Sequence, residues 1–138
     1  MASATGYSGT PLPRKLGIKP GHRLLLLRAP EGFEDDTLGP LPDDVVVGRT
    51  ARGHADVIVA FHTRRAELEK ALPKLRALME PACGLWIGWP KKAAKTDTDI
   101  TEDVVRDLGV AIGLVDNQVC AIDETWSGLR LVIRLKDR

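Results

Sequence analysis

The chain has 138 residues, 43% of them hydrophobic and 28% charged, the profile of one soluble globular domain with a real core. Its 20 basic and 19 acidic side chains leave a formal charge of +1, which excludes a global field steering it to nucleic acid or anionic lipid. No apolar run approaches the roughly 20 residues of a membrane span, residues 1–7 lack the blocks of a signal peptide, and two cysteines are too few for a disulfide framework, so a cytoplasmic protein with reduced thiols is expected.

Residues 1–10 are small and polar and read as a flexible N-terminal arm, leaving 11–138 as a single α/β domain. Residues 11–18 have room for one short helical turn. Leu24, Leu25, Leu26 and Leu27 form an unbroken apolar run between Pro20-Gly21 and Pro30-Glu31-Gly32. That is the pattern of a strand buried on both faces, as in a parallel sheet. Residues 31–39 are too few for a crossover helix and predict a turn or two. Strands are expected over 45–47 and 56–61, with a loop over 49–54.

The next segment reads as a helix. Leu68, Ala71, Leu72, Leu75 and Leu78 recur at helical spacing, with Arg, Glu and Lys opposite them. Thr63 is its expected N-cap, Pro73 predicts a kink, and Pro81 and Gly84 end it. A fourth strand is expected over 85–89, followed by a polar loop over 90–98. Asp99 and Glu102 have the spacing of a capping box, and Ile100, Val104, Leu108 and Ala111 share one face of a second helix that stops at Gly113. Strands over 117–123 and 129–135 are joined by five residues, too few for a parallel crossover, and therefore predict an antiparallel hairpin. Leu129, Leu131, Ile133 and Leu135 form its packed face.

This succession of elements resembles the S-adenosylmethionine-dependent methyltransferase fold, a three-layer Rossmann-like α/β architecture with a mostly parallel sheet and an antiparallel C-terminal hairpin. The likeness covers residues 15–138. It rests on Ile18-Lys19-Pro20-Gly21, the 56–61 strand, Leu72-Pro73-Lys74-Leu75, Gly84-Leu85-Trp86 and the closing hairpin. The chain leaves no room for that fold's third strand. It is also similar to the bacterial domain of unknown function 3052 family. The shared strings are Gly6-Tyr7-Ser8-Gly9-Thr10-Pro11-Leu12, Ala29-Pro30-Glu31-Gly32, Trp89-Pro90-Lys91-Lys92 and Asp123-Glu124-Thr125-Trp126-Ser127-Gly128. That resemblance implies a fold and no reaction, because the family is named for having no assigned activity.

A nucleotide site of the methyltransferase type needs glycines for close backbone approach and an acid for the ribose hydroxyls. Here Arg28 and Pro30 replace the first two glycines, and Gly48-Arg49-Thr50 ends the second strand without an acid. The residues read as a degenerate, non-catalytic scaffold with no cofactor. S-adenosylmethionine is disfavoured, at no better than about millimolar affinity or ~4 kcal/mol. The alternatives are an active transferase with a non-standard site and a regulatory interaction module without ligand.

Parallel strands present their carboxyl ends on one edge, where open α/β sheets bind ligands. Arg28, His62, Arg64, Arg65, Lys91 and Lys92 should emerge there and predict a small anionic ligand or a protein partner. One pocket is expected, lined by Tyr7, Arg28, Glu31, Trp89, Lys91, Glu124 and Trp126. His22, His54 and His62 lack the paired spacing of metal ligands. Cys83 and Cys120 read as structural thiols, and the basic-aromatic interleaving of nucleic-acid binders is missing.

Overall fold

The computed structural model describes residues 10–138. Four apolar segments form the parallel part of its sheet: β1 (Arg23–Leu27), β2 (Val46–Gly48), β3 (Ala55–Phe61) and β4 (Met79–Pro90). The hairpin strands β5 (Leu114–Ala121) and β6 (Trp126–Ile133) complete it, with β6 antiparallel to β4. The order is β2-β1-β3-β4-β6-β5, so the chain steps from β1 to one side and then crosses to the other. Such a reversal opens a crevice at the carboxyl ends of the strands. This is a mixed, Rossmann-like α/β sheet with a parallel core, as the sequence pattern predicts.

Alternate residues feed two cores. Leu25, Leu27, Ile58, Ala60, Leu85 and Ile87 meet helix α2 (Arg65–Ala77) through Leu68, Leu72 and Leu75, and helix α3 (Glu102–Ala111) through Val105 and Leu108. Leu24, Leu26, Val57, Val59 and Trp86 instead meet helix α1 (Leu12–Lys15), Leu16, Ile18 and a wide π-type turn over Phe33–Leu38. With apolar residues on both faces, the central strands read as unbroken hydrophobic runs. Trp86 is fully buried, and its Nε1 donates to the Leu16 carbonyl at 3.0 Å, pinning the N-terminal segment to the sheet. Among the described residues, no helix is long and apolar enough to cross a membrane.

Several local expectations are corrected. Helix α2 runs through Pro73 and begins after Arg64; the Thr63 side chain does not cap it. The first amide, Arg65 N, donates instead to Asp99 Oδ1 at 2.6 Å, from the loop after β4. That loop is also tied down by Thr98 Oγ1 donating to the Thr63 carbonyl at 2.7 Å and by an Arg64–Asp97 ion pair at 3.0 Å. Asp99 is thus committed elsewhere, and α3 is capped by Thr101, whose hydroxyl accepts from Val104 N at 3.2 Å. The buried face of α3 is Val105, Leu108 and Gly109, with Ile100 packed ahead of the helix. Leu135 is 80% exposed, because the chain leaves the sheet after Ile133.

Candidate functional site

The carboxyl end of β1 is built by unusual backbone. Arg28 takes a left-handed conformation (φ 59°), as does Gly32 (φ 78°). A non-glycine residue in this region is strained and is often held at a functional edge. At Gly32 the positive φ itself disfavours a side chain, whatever the space around it. The two bends turn the chain into the π-type turn. Phe33 and Leu38 are buried there, while Glu34 and Asp35 stay on the outside.

The result is a cleft of about 440 Å³, within the size range of small-molecule sites. Leu26, Ala29, Pro30 and Phe33 form its apolar wall; Glu31, Glu34 and Asp35 supply carboxylates, and Arg28 and Arg49 supply guanidinium groups. Arg49 leaves the end of β2 and grips Glu34 through two hydrogen bonds of 2.7 Å. Those bonds hold the Glu34 carboxyl below its usual range. Among the described residues, neither Glu31 nor Asp35 makes a side-chain hydrogen bond or ion pair. The cleft therefore presents two uncommitted acids.

His62 follows β3 on the same edge. It is the one buried polar residue among those described, 5% exposed, and its Nδ1 has no hydrogen-bond partner. Burial pushes its pKa down to about 4, the Arg28 charge pushes the same way, and Glu67 opposes. The imidazole is neutral at pH 7. Arg28 itself pairs with Glu67 at 2.9 Å. Two cations expected to hold an anion on this edge, Arg28 and Arg64, thus already have carboxylate partners.

The residues expected to share one pocket fall into three groups, and Tyr7 lies outside the described residues. Arg28 and Glu31 line the cleft. Lys91, Glu124 and Trp126 gather at the hairpin end of the same edge, where Trp126 pairs with Pro90 and Lys91 N donates to the Thr125 carbonyl at 2.8 Å. Asp123 Oδ1 accepts from both Thr125 N and Trp126 N at 2.8 Å, so its carboxylate builds the turn. An edge-to-face series links the two groups, Phe33 on Phe61 and Phe61 on Trp126, each with centroids 5.0 Å apart. Trp89 belongs to neither group: it is buried in the core under α2 and α3. Sequence reasoning passed over Glu34, Asp35 and the Glu34–Arg49 pair. The signal was the acidic run Glu34-Asp35-Asp36, one residue beyond Gly32. Among the described residues no cluster of three His, Cys, Asp or Glu side chains is placed to hold a metal.

No family model matches the chain, and no curated protein does. Solved structures do match in fold. An S-adenosylmethionine-dependent methyltransferase from Aquifex aeolicus is 17% identical with a TM-score of 0.60, over 88% of this chain and 87% of that one. The N-methyltransferase NodS from Bradyrhizobium japonicum is 13% identical with a TM-score of 0.57, over 91% and 98% of the two chains. Magnesium protoporphyrin IX methyltransferase from Synechocystis, with S-adenosylmethionine bound, is 12% identical with a TM-score of 0.56, over 89% and 74%. The fold is that of the S-adenosylmethionine-dependent methyltransferases.

These likenesses correct two expectations, the non-catalytic scaffold and the absence of a cofactor. The fold's solved relatives are methyltransferases, some holding S-adenosylmethionine or its demethylated product. The missing glycines and the missing β2 acid are also weaker grounds than the sequence suggested. The loop after β1 brings Glu34 to Arg49, just past the end of β2, so a carboxylate stands at that place by another route.

Proposed function

We propose that this protein is an active transferase with a non-standard site, which binds S-adenosylmethionine in the cleft at the end of β1 and transfers its methyl group. The observation that carries the reading is the cleft itself: an apolar wall facing uncommitted carboxylates at the carboxyl end of β1. The donor set fits the group. Carboxylates accept hydrogen bonds from ribose hydroxyls and pair with an ammonium, and apolar side chains cover a purine. When bound, S-adenosylmethionine supplies a methyl group on a positively charged sulfur.

The chain's own residues then divide the work. Glu31 and Asp35 would accept hydrogen bonds from the cofactor, and the apolar wall of Leu26, Ala29, Pro30 and Phe33 would cover its base. The Glu34–Arg49 pair fixes the π-type turn against β2, so the acids are held before any ligand arrives; such preorganisation lowers the ordering cost of binding. Neutral His62 and the Arg28–Glu67 pair border the same edge. Membership of the domain of unknown function 3052 family belongs to the same proposal, since its strings at 29–32, 89–92 and 123–128 all fall along this edge.

Calorimetry with S-adenosylmethionine and S-adenosylhomocysteine tests the reading. Micromolar binding is expected, weakened tenfold or more by Glu31→Gln or Asp35→Asn. Millimolar or weaker binding of both compounds to the folded wild-type protein would overturn it.

A further inference from the structure

The acids of this chain are used economically: Arg28, Arg49, Arg64, Arg106 and Arg134 all carry carboxylate partners. Arg130 is one of the arginines that do not. It sits in β6 opposite Trp86 of β4, half-buried, and its side chain makes no hydrogen bond or ion pair among the described residues. Burial, rather than a partner, sets its environment, and the charge that acts against it is another guanidinium, Arg138.

The seat is specific. The Arg130 guanidinium lies against Gly84 of β4, where an added Cβ would come within 2.9 Å of both Cζ and Nη2. Only a residue without a Cβ leaves that space. Arg138 is held nearby, because its Nε donates to the Ile133 carbonyl at 2.8 Å. Gln118 of β5 pairs across the strand with Arg130 and is exposed. Two acids lie in the region: Asp56 and Glu80 both act on the neighbouring Cys83 thiol. Neither pairs with Arg130, and the Asp56 carboxylate already accepts from Arg23 N at 2.9 Å. A partly desolvated guanidinium with a like charge beside it and no carboxylate is costly unless an anion completes it. Its Nε, Cζ and Nη2 stand over Gly84, and its N–H groups have no protein partner among the described residues, which leaves a donor set of the kind that recognises an oxyanion.

We propose that Arg130, seated on Gly84 and joined by Arg138, forms a binding site for a phosphate-type oxyanion, separate from the cleft at β1. Two guanidinium groups, neither ion-paired with the Asp56 or Glu80 carboxylate, suit a dianion better than a carboxylate. The phosphate arrives either free or as a monoester on a larger molecule.

The test is thermal unfolding and calorimetry of the full chain with inorganic phosphate, methyl phosphate or acetate, at ionic strength fixed with sodium chloride. Phosphate or methyl phosphate should raise Tm above the chloride control, and the stronger of the two identifies the free or esterified form. Arg130→Gln should weaken binding at least tenfold. Gly84→Ala keeps the charge but unseats it, and should do the same. Arg138→Gln, at an exposed position outside the sheet, should weaken binding about threefold and serves even if a strand variant misfolds. No phosphate-dependent rise, an equal rise with acetate, or unchanged phosphate affinity in folded Gly84→Ala and Arg138→Gln would each overturn the site.

Discussion

Lowering the pH from 7.5 to 4.5 should remove stability through His62, and the size of the loss follows from its surroundings. The imidazole is 5% exposed with an unpartnered Nδ1, and its pKa in the fold is about 4 against an ordinary 6.5. A depressed pKa on a base means the unfolded chain binds the proton first. The contribution is therefore intact above pH 6.5 and is lost as pH falls toward 4. At about 1.4 kcal/mol per pH unit, the loss by pH 4.5 is about 2–3 kcal/mol. Leucine in place of His62 removes the titrating group and a buried polar atom with no partner. His62→Leu should then be more stable than wild type by on the order of 1 kcal/mol at pH 7.5, since an unsatisfied buried group carries that cost. The gap should widen by the further 2–3 kcal/mol at pH 4.5. Urea unfolding followed by tryptophan fluorescence at several pH values measures both. Carboxylates such as Glu34 titrate equally in the two proteins and cancel in the difference. Parallel pH profiles for wild type and His62→Leu would refute the reasoning.

Three further outcomes are expected. Trp86→Phe removes the Nε1 bond to the Leu16 carbonyl and opens a gap at a fully buried site, and should cost about 2–4 kcal/mol in urea unfolding. Burial pushes the Cys83 thiol up to about 12, so iodoacetamide at pH 8 should alkylate the half-buried Cys120 at least tenfold faster, and peptide mass mapping after mild peroxide should show no Cys83–Cys120 bridge, because β6 separates their strands and they pack into opposite cores. Thr101→Ala loses the hydroxyl that accepts from Val104 N and should cost about 1 kcal/mol, read from the same unfolding curves.

Much of the fold was legible because periodicity and burial act locally. The four leucines at 24–27 became β1, the Leu68, Leu72 and Leu75 spacing became the inner face of α2, and the five-residue link fixed the hairpin. Boundaries were lost where a distant group decided them. Thr63 looked like a cap until Asp99, far along the chain, took that role, which in turn left α3 to Thr101. Of the residues lining the candidate cleft, Arg28 and Glu31 had been singled out at the break after β1, and Glu34 had not. Its role depends on Arg49, and nothing local in the sequence announces which charges on two separate loops will meet. Trp89 misled for a related reason. It shares a string with two lysines of the following loop, but both faces of β4 are covered there, and the alternation of the strand puts Trp89 in the core under α2 and α3.

The bond from Arg65 N to Asp99 has a consequence for how this chain can be cut or recombined. The first turn of α2 is finished by a residue that belongs to the following strand–loop–helix unit. Two successive building blocks thus share one joint, and neither carries it whole. Transplanting β3 with α2 into another scaffold would take half of that joint and leave a fraying helix end exposed at the carboxyl edge of the sheet. Changing the length of the loop after β4 would loosen a helix that the altered residues precede in space and follow in sequence. Variation on this edge is therefore constrained in pairs: what β4 hands to its loop must always return to the start of α2.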